Sequence, residues 1–141
     1  MKTLALVVAI AAVSSVQSDS TSIAGSWTAR FDGRTFVTLE LKTTNGTITG
    51  GISMGNFEVD SQGAVRRADE SPRALTAIFD VKLRASLLTF SRKDGDSTNR
   101  FEVRLLDGGD AELRFLFDDE ELEEFVADGI PTPKPIHLTK R

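Results

Sequence analysis

Glycine-centred dipeptides punctuate this chain at Asp32-Gly33, Asn45-Gly46, Gln62-Gly63, Asp94-Gly95 and Asp107-Gly108, and apolar and polar residues alternate between them. The favoured tight hairpin needs positive φ at its central positions, which glycine reaches at no steric cost and Asn or Asp tolerates. Alternation with period two is the mark of a strand that buries one face. The two features together restrict the chain to an antiparallel meander.

Read in that period, the first strand is 26–31, with Trp27, Ala29 and Phe31 on one face and Thr28 and Arg30 on the other. Next comes 35–42, directing Val37, Leu39 and Leu41 inward, and then 47–53 with Ile48 and Ile52. A short piece carries Phe57 and Val59, and a weaker strand spans 64–68. Residues 69–73, with Pro72 and two acids, are the expected break in the meander. The second half resumes at 75–82, with Leu75, Ala77, Phe79 and Val81 on one face, followed by 87–93 with Leu88 and Phe90, then 98–106 and 111–117. Pairing Leu105 with Ala111 sets Glu102 opposite Arg114 and Arg104 opposite Glu112, so complementary charge selects that register. The expected fold is all-β: an up-and-down meander of about eight to nine strands closing into a small barrel. Closure also removes exposed strand edges.

One segment departs from period two. Across 118–127, Leu122, Phe125 and Val126 fall at helical spacing, Asp118 stands as N-cap with Glu121 three residues on, and Gly129 then Pro131 signal the stop. A single short helix over about 119–127 follows, its apolar stripe expected to plug one barrel end or lie on the wall. Residues 130–141 form a tail in which Pro131, Pro133 and Pro135 favour extended backbone and Ile136 and Leu138 can pack back onto the domain.

Residues 1–18 read as an export signal, with Lys2 ahead of an apolar run from Leu4 to Val13 and a small, polar stretch ending at Ser18. That ten-residue run is short of the roughly 20 needed to span a bilayer, so no membrane span is expected. Cleavage after Ser18 leaves one domain, 19–141, secreted or periplasmic, and losing Lys2 takes the net charge from −4 to −5. Without cysteine, neither a lipid-modified thiol nor a disulfide is available. Interspersed charge of net negative sign argues against nucleic acid as a partner. The expected state is a monomer.

Catalytic chemistry finds few candidates. His137, the one histidine, lies in the tail, whereas a Ser-His-Asp arrangement holds its base rigidly beside the nucleophile. Asp60 and Asp80 sit near strand ends but nothing in the sequence brings them together as a hydrolytic carboxylate pair. The run from Asp94 to Asn99 resembles a calcium loop, but its twelfth position is Leu105 where a bidentate Glu is needed, and a hairpin accounts for it. Asn45-Gly46-Thr47 fits a glycosylation acceptor as well as a turn, and Arg66-Arg67 reads as a contact point or as a guard against edge pairing. Zinc sites built from Cys or paired His are excluded by composition. No catalytic group, metal ligand or cofactor is assigned, and the protein is expected not to be an enzyme.

Gly25-Ser26-Trp27 followed by Asn45-Gly46-Thr47-Ile48-Thr49-Gly50 resembles the opening of avidin-type barrels and, more loosely, of the calycin group. The resemblance spans about the first two hairpins and implies the barrel fold. It does not imply biotin binding, because the positions that contact biotin in avidins hold Ala29, Gly33 and Ile52 here. The segment from Gly129 to Ile136 is similar to the end of small secreted bacterial β-domains, a likeness that implies no activity.

The expected function is a non-catalytic binding module. One reading is a small apolar ligand inside the barrel, touching Trp27, Phe31, Phe79, Phe90, Phe101 and Phe115 in a cavity of roughly 300 Å³ or more. The other is a protein-interaction or inhibitor module using loops, the proline-rich tail or the acidic helix with Asp118, Asp119, Glu120, Glu121, Glu123 and Glu124. Those acids read either as a solvated helix face or as an attraction for a cation or a basic partner.

Overall fold

The computed structural model describes residues 22–141. The expected export signal, 1–18, lies outside the described residues. In chain order the elements are β1 (Gly25–Phe31), β2 (Arg34–Thr44), β3 (Thr47–Met54), β4 (Phe57–Val59), β5 (Val65–Ala68), β6 (Thr76–Arg84), β7 (Leu87–Asp94), β8 (Ser97–Leu105), β9 (Ala111–Leu116), the helix α1 (Asp119–Asp128) and β10 (Ile136–Lys140). Eight strands close an antiparallel barrel in the order β1-β10-β9-β8-β7-β6-β3-β2, and β4 and β5 form a separate two-stranded hairpin.

The turn chemistry explains the hairpins. Asp32 and Gly33 take φ of 51° and 77°, and Asn45 and Gly46 take 51° and 79°, so both turns have the positive angles that suit the right-handed twist of the flanking strands. The charge-selected register is observed, with Leu105 opposite Ala111, Glu102 opposite Arg114 and Arg104 opposite Glu112. The segment 69–73 leaves the meander and is fastened to the outer wall of β2 and β3. There Ser71 N–H donates to the Thr35 carbonyl at 2.9 Å, and the buried Ser53 hydroxyl donates to the Pro72 carbonyl.

Two bulges overturn part of the alternation. Beyond Ala29, the register of β2 against β1 shifts by one and admits Phe36 as an extra residue, so Phe36 and Val37 are both buried. In β6 an extra residue enters between Phe79 and Lys82, where Asp80 adopts a left-handed φ of 54°. Ile78, Val81 and Leu83 therefore face the core, while Leu75 and Phe79 stay outside. The expected inward set of Leu75, Ala77, Phe79 and Val81 is corrected on this point, because one inserted residue exchanges the faces of everything beyond it.

The tail is a strand. Ile136 to Lys140 lies between β1 and β9, burying Ile136 and Leu138 and completing the barrel. Its pairing is uneven: three register pairs join it to β9 but only Trp27 with Lys140 and Thr28 with Thr139 join it to β1. The seam between β3 and β6 also has only two pairs. The barrel's pairing is shortest at these two seams, β1–β10 and β3–β6.

The helix does not plug the barrel. That position is taken by the β4–β5 hairpin, whose Phe57 ring lies 5.8 Å from Phe36 and 5.9 Å from Phe115. Phe115 continues the aromatic series inward to Phe101 at 5.0 Å, which stacks on Phe90 at 5.4 Å. Rings at such separations add about 0.5–1.5 kcal/mol per pair beyond their burial.

Candidate interaction surface at one end of the barrel

Many inward side chains of the barrel are closely packed. Trp27, Phe90 and Phe101 are buried as expected, Phe31 and Phe115 partly so, and Phe79 is 41% exposed on the outer wall. Val37, Leu39, Ile52, Leu88, Phe101, Val103, Leu113 and Leu138 have no accessible area. Zero area leaves no water-sized void beside those side chains, which is the close packing of an ordinary core. Towards the turn between β7 and β8 the inward positions become polar. Arg92 Nε donates to Asn99 Oδ1 at 3.3 Å and its guanidinium sits 5.3 Å from the Phe101 ring centre. Burial lowers the Arg92 pKa from its ordinary value and nearby Asp94 opposes the shift, so the group remains a cation.

Helix α1 stands outside this core at the end that carries the β4–β5 hairpin. Asp118 Oδ1 accepts from the Glu121 N–H at 2.8 Å, the capping read from the sequence. Its other end closes with Gly129 at φ 66°, while Ile130 N–H donates to the Phe125 carbonyl at 2.8 Å. Phe125 packs edge-on against Phe117, the residue after β9, at 4.9 Å. On the helix, Leu122 and Val126, four residues apart, are 39% and 82% exposed, and Ile130, past the left-handed Gly129, is 50% exposed. Side chains four apart share a helix face.

The charge on this element is one-signed. Residues 118–128 include seven acids, the six expected ones and Asp128, and no Lys, Arg or His occurs from 115 to 133. Asp119, Glu120 and Glu121 lie in the first turn, where the helix dipole favours them. Glu123, Glu124 and Asp128 gain nothing there, and the last turn has no basic residue to offset its negative end. The sequence placed these acids on a helix but gave no sign that Leu122 and Val126 are exposed, since an apolar stripe is ordinarily a buried one.

The remaining sequence candidates stay apart. His137, on β10, places Nε2 2.8 Å from Asp110 Oδ2 in a solvent-exposed pair. Asp60 Oδ1 accepts from the N–H groups of Gln62 and Ala64, holding the β4–β5 turn, whereas Asp80 occupies the bulge of β6. Asp94 and Ser97 are a register pair closing the β7–β8 hairpin. Arg66 pairs with Glu58 across the small hairpin at 3.2 Å, and Asn45 occupies its turn. Among the described residues no cluster of three or more His, Asp or Glu is arranged to hold a metal ion. No helix among them is long and apolar enough to cross a membrane.

Compared with known proteins, the chain matches no family model, no curated protein and no solved structure.

Proposed function

We propose that this protein is an exported, non-catalytic interaction module on a calycin-like barrel, and that helix α1 is its contact surface for a protein segment both basic and apolar. The observation that carries this reading is the exposed pair Leu122 and Val126 on the helix, with Ile130 exposed just past its C-cap, set among one-signed charge. Burying such side chains stabilises a complex by about 1.5–3 kcal/mol each when the burial is complete. A basic partner also relieves the repulsion among Glu123, Glu124 and Asp128, so apolar and charged complementarity point to the same occupant. The close packing of the inward side chains favours this surface over an apolar ligand within the barrel.

The test is titration with an amphipathic helical peptide of leucine and lysine. Saturable binding that weakens as salt rises is expected. It should vanish in Val126→Glu and persist in Phe79→Ser, which alters an exposed apolar residue elsewhere on the wall. Equal binding by the protein with and without Val126→Glu would remove the helix as the contact surface.

A further inference from the structure

The β1–β10 seam opens into a groove. Register pairs end at Thr28 with Thr139, just short of the point where Phe36 of β2 bulges opposite β1. Had the ladder continued, Arg30 would face His137 and Phe31 would face Ile136. The two strands instead part there, and the β4–β5 turn supplies a third wall through Gly63, Ala64 and Val65. The turn is clamped in place. Lys134 N–H donates to the Gly63 carbonyl at 2.9 Å, and a Cβ at Gly63, with φ of 87°, would overlap the Thr132 carbonyl oxygen.

The resulting groove has a volume of about 240 Å³. Its floor is apolar, with the rings of Phe31 and Phe36 and the side chains of Val65 and Ile136. Its rim is not: Arg30, Lys134 and His137 border it, and no acid does. Arg30 spends one guanidinium donor on the Gly33 carbonyl at 2.9 Å, and neither it nor Lys134 is in an ion pair with a described residue. His137 is oriented by Asp110 just outside. With Asp110 engaged by His137, Arg30 and Lys134 are the cations left at the groove, and in a chain of net charge −4 that combination favours an anion there.

We infer that this groove binds a monocarboxylate carried on a compact apolar group, with the apolar part against Phe31, Phe36 and Val65 and the carboxylate between Arg30 and Lys134. The volume is below the roughly 300–1,000 Å³ of sites for drug-sized molecules, which restricts the ligand to a single ring or short chain. Arg30 and Lys134, both at the groove, can give a carboxylate charge-assisted bonds, and the apolar lining disfavours a small hydrophilic anion. Such a carboxylate comes from a free acid or from the end of a peptide chain. The site is separate from the helix surface.

Amide chemical-shift titration of the protein with benzoate tests this. Perturbations should gather at 29–31, 63–65 and 134–137, and benzyl alcohol, similar in size but neutral, should bind at least about tenfold more weakly. Combined Arg30→Gln and Lys134→Gln should reduce benzoate affinity by about tenfold or more without altering the response to benzyl alcohol. A short peptide ending in phenylalanine, with its C-terminus free or amidated, separates the two sources. Binding of the free form assigns a chain end, and benzoate binding without it assigns a small acid. Equal affinity for benzoate and benzyl alcohol, an unchanged benzoate affinity in the double variant, or shifts confined to other residues would overturn the assignment.

Discussion

Lys140 holds its ammonium 5.5 Å from the centre of the Trp27 ring, and the two residues are register partners in the seam where the last strand meets the first. The same ammonium donates to the Ser22 carbonyl at 3.0 Å, while Trp27 Nε1 donates to the Ile23 carbonyl at 2.8 Å. Ile23 is fully buried, so the segment entering β1 is drawn across this end of the barrel. Trp27→Phe deletes the indole donor and leaves a buried carbonyl unpaired, an expected loss of about 1–3 kcal/mol in urea unfolding. Lys140→Ala should lose less, about 0.5–1 kcal/mol.

Closure by β10 gives a second expectation. Leu138 is completely buried, and Leu138→Ala should lower the unfolding free energy by about 2–5 kcal/mol. Its exposed neighbour Thr139 should tolerate alanine within about 0.5 kcal/mol. Equal effects in chemical denaturation would mean that the strand is not seated in the barrel.

Two glycines separate conformational strain from close approach. Gly46 has φ of 79° with open space around it, so Gly46→Ala should cost only the left-handed penalty of about 1–2 kcal/mol. Gly63 has the same requirement and in addition faces the Thr132 carbonyl. Gly63→Ala should therefore destabilise more than Gly46→Ala, and it should also reduce benzoate affinity through displacement of the groove wall.

Phe57 tests the plug. It bridges Phe36 and Phe115 but is only partly buried, so Phe57→Ala should cost near the lower end of about 3–5 kcal/mol. Exposure of the aromatic series beneath should raise the fluorescence of an added naphthalene-sulfonate dye. An unchanged dye signal would show that the hairpin does not seal that end.

The helix surface carries an opposing pair of outcomes. Val126→Lys places a cation in the last turn, three residues after Glu123, and removes an exposed apolar group. Thermal unfolding should show a gain of about 0.3–1 kcal/mol, while binding of the leucine-lysine peptide is lost. A surface maintained at a cost to the free protein is expected where residues serve a partner.

Much of this architecture was legible because its causes are local. Asp32-Gly33 and Asn45-Gly46 carry their own turn geometry, the alternation of Val37, Leu39 and Leu41 reports a buried face, and Asp118 with Gly129 marks the two ends of a helix. Opposite charges at Glu102 and Arg114 were enough to choose a register. What escaped depends on an inserted residue or on distant contact. Nothing around Asp80 announces the bulge that puts Phe79 outside, since one residue of slip costs little locally and reverses the faces.

The chain by itself determined most of the strands, the helix and the sign of every charge, for these follow from backbone preference and side-chain period over a few residues. Only the tertiary structure decided that Ile136 to Lys140 closes the barrel, that Phe57 rather than the helix fills its end, and that β1 and β10 part beside Arg30. Those outcomes are settled by competition for buried space among segments more than a hundred residues apart, a quantity that no short window of sequence contains. The exposed pair on α1 and the basic-rimmed groove are what that competition left at the surface.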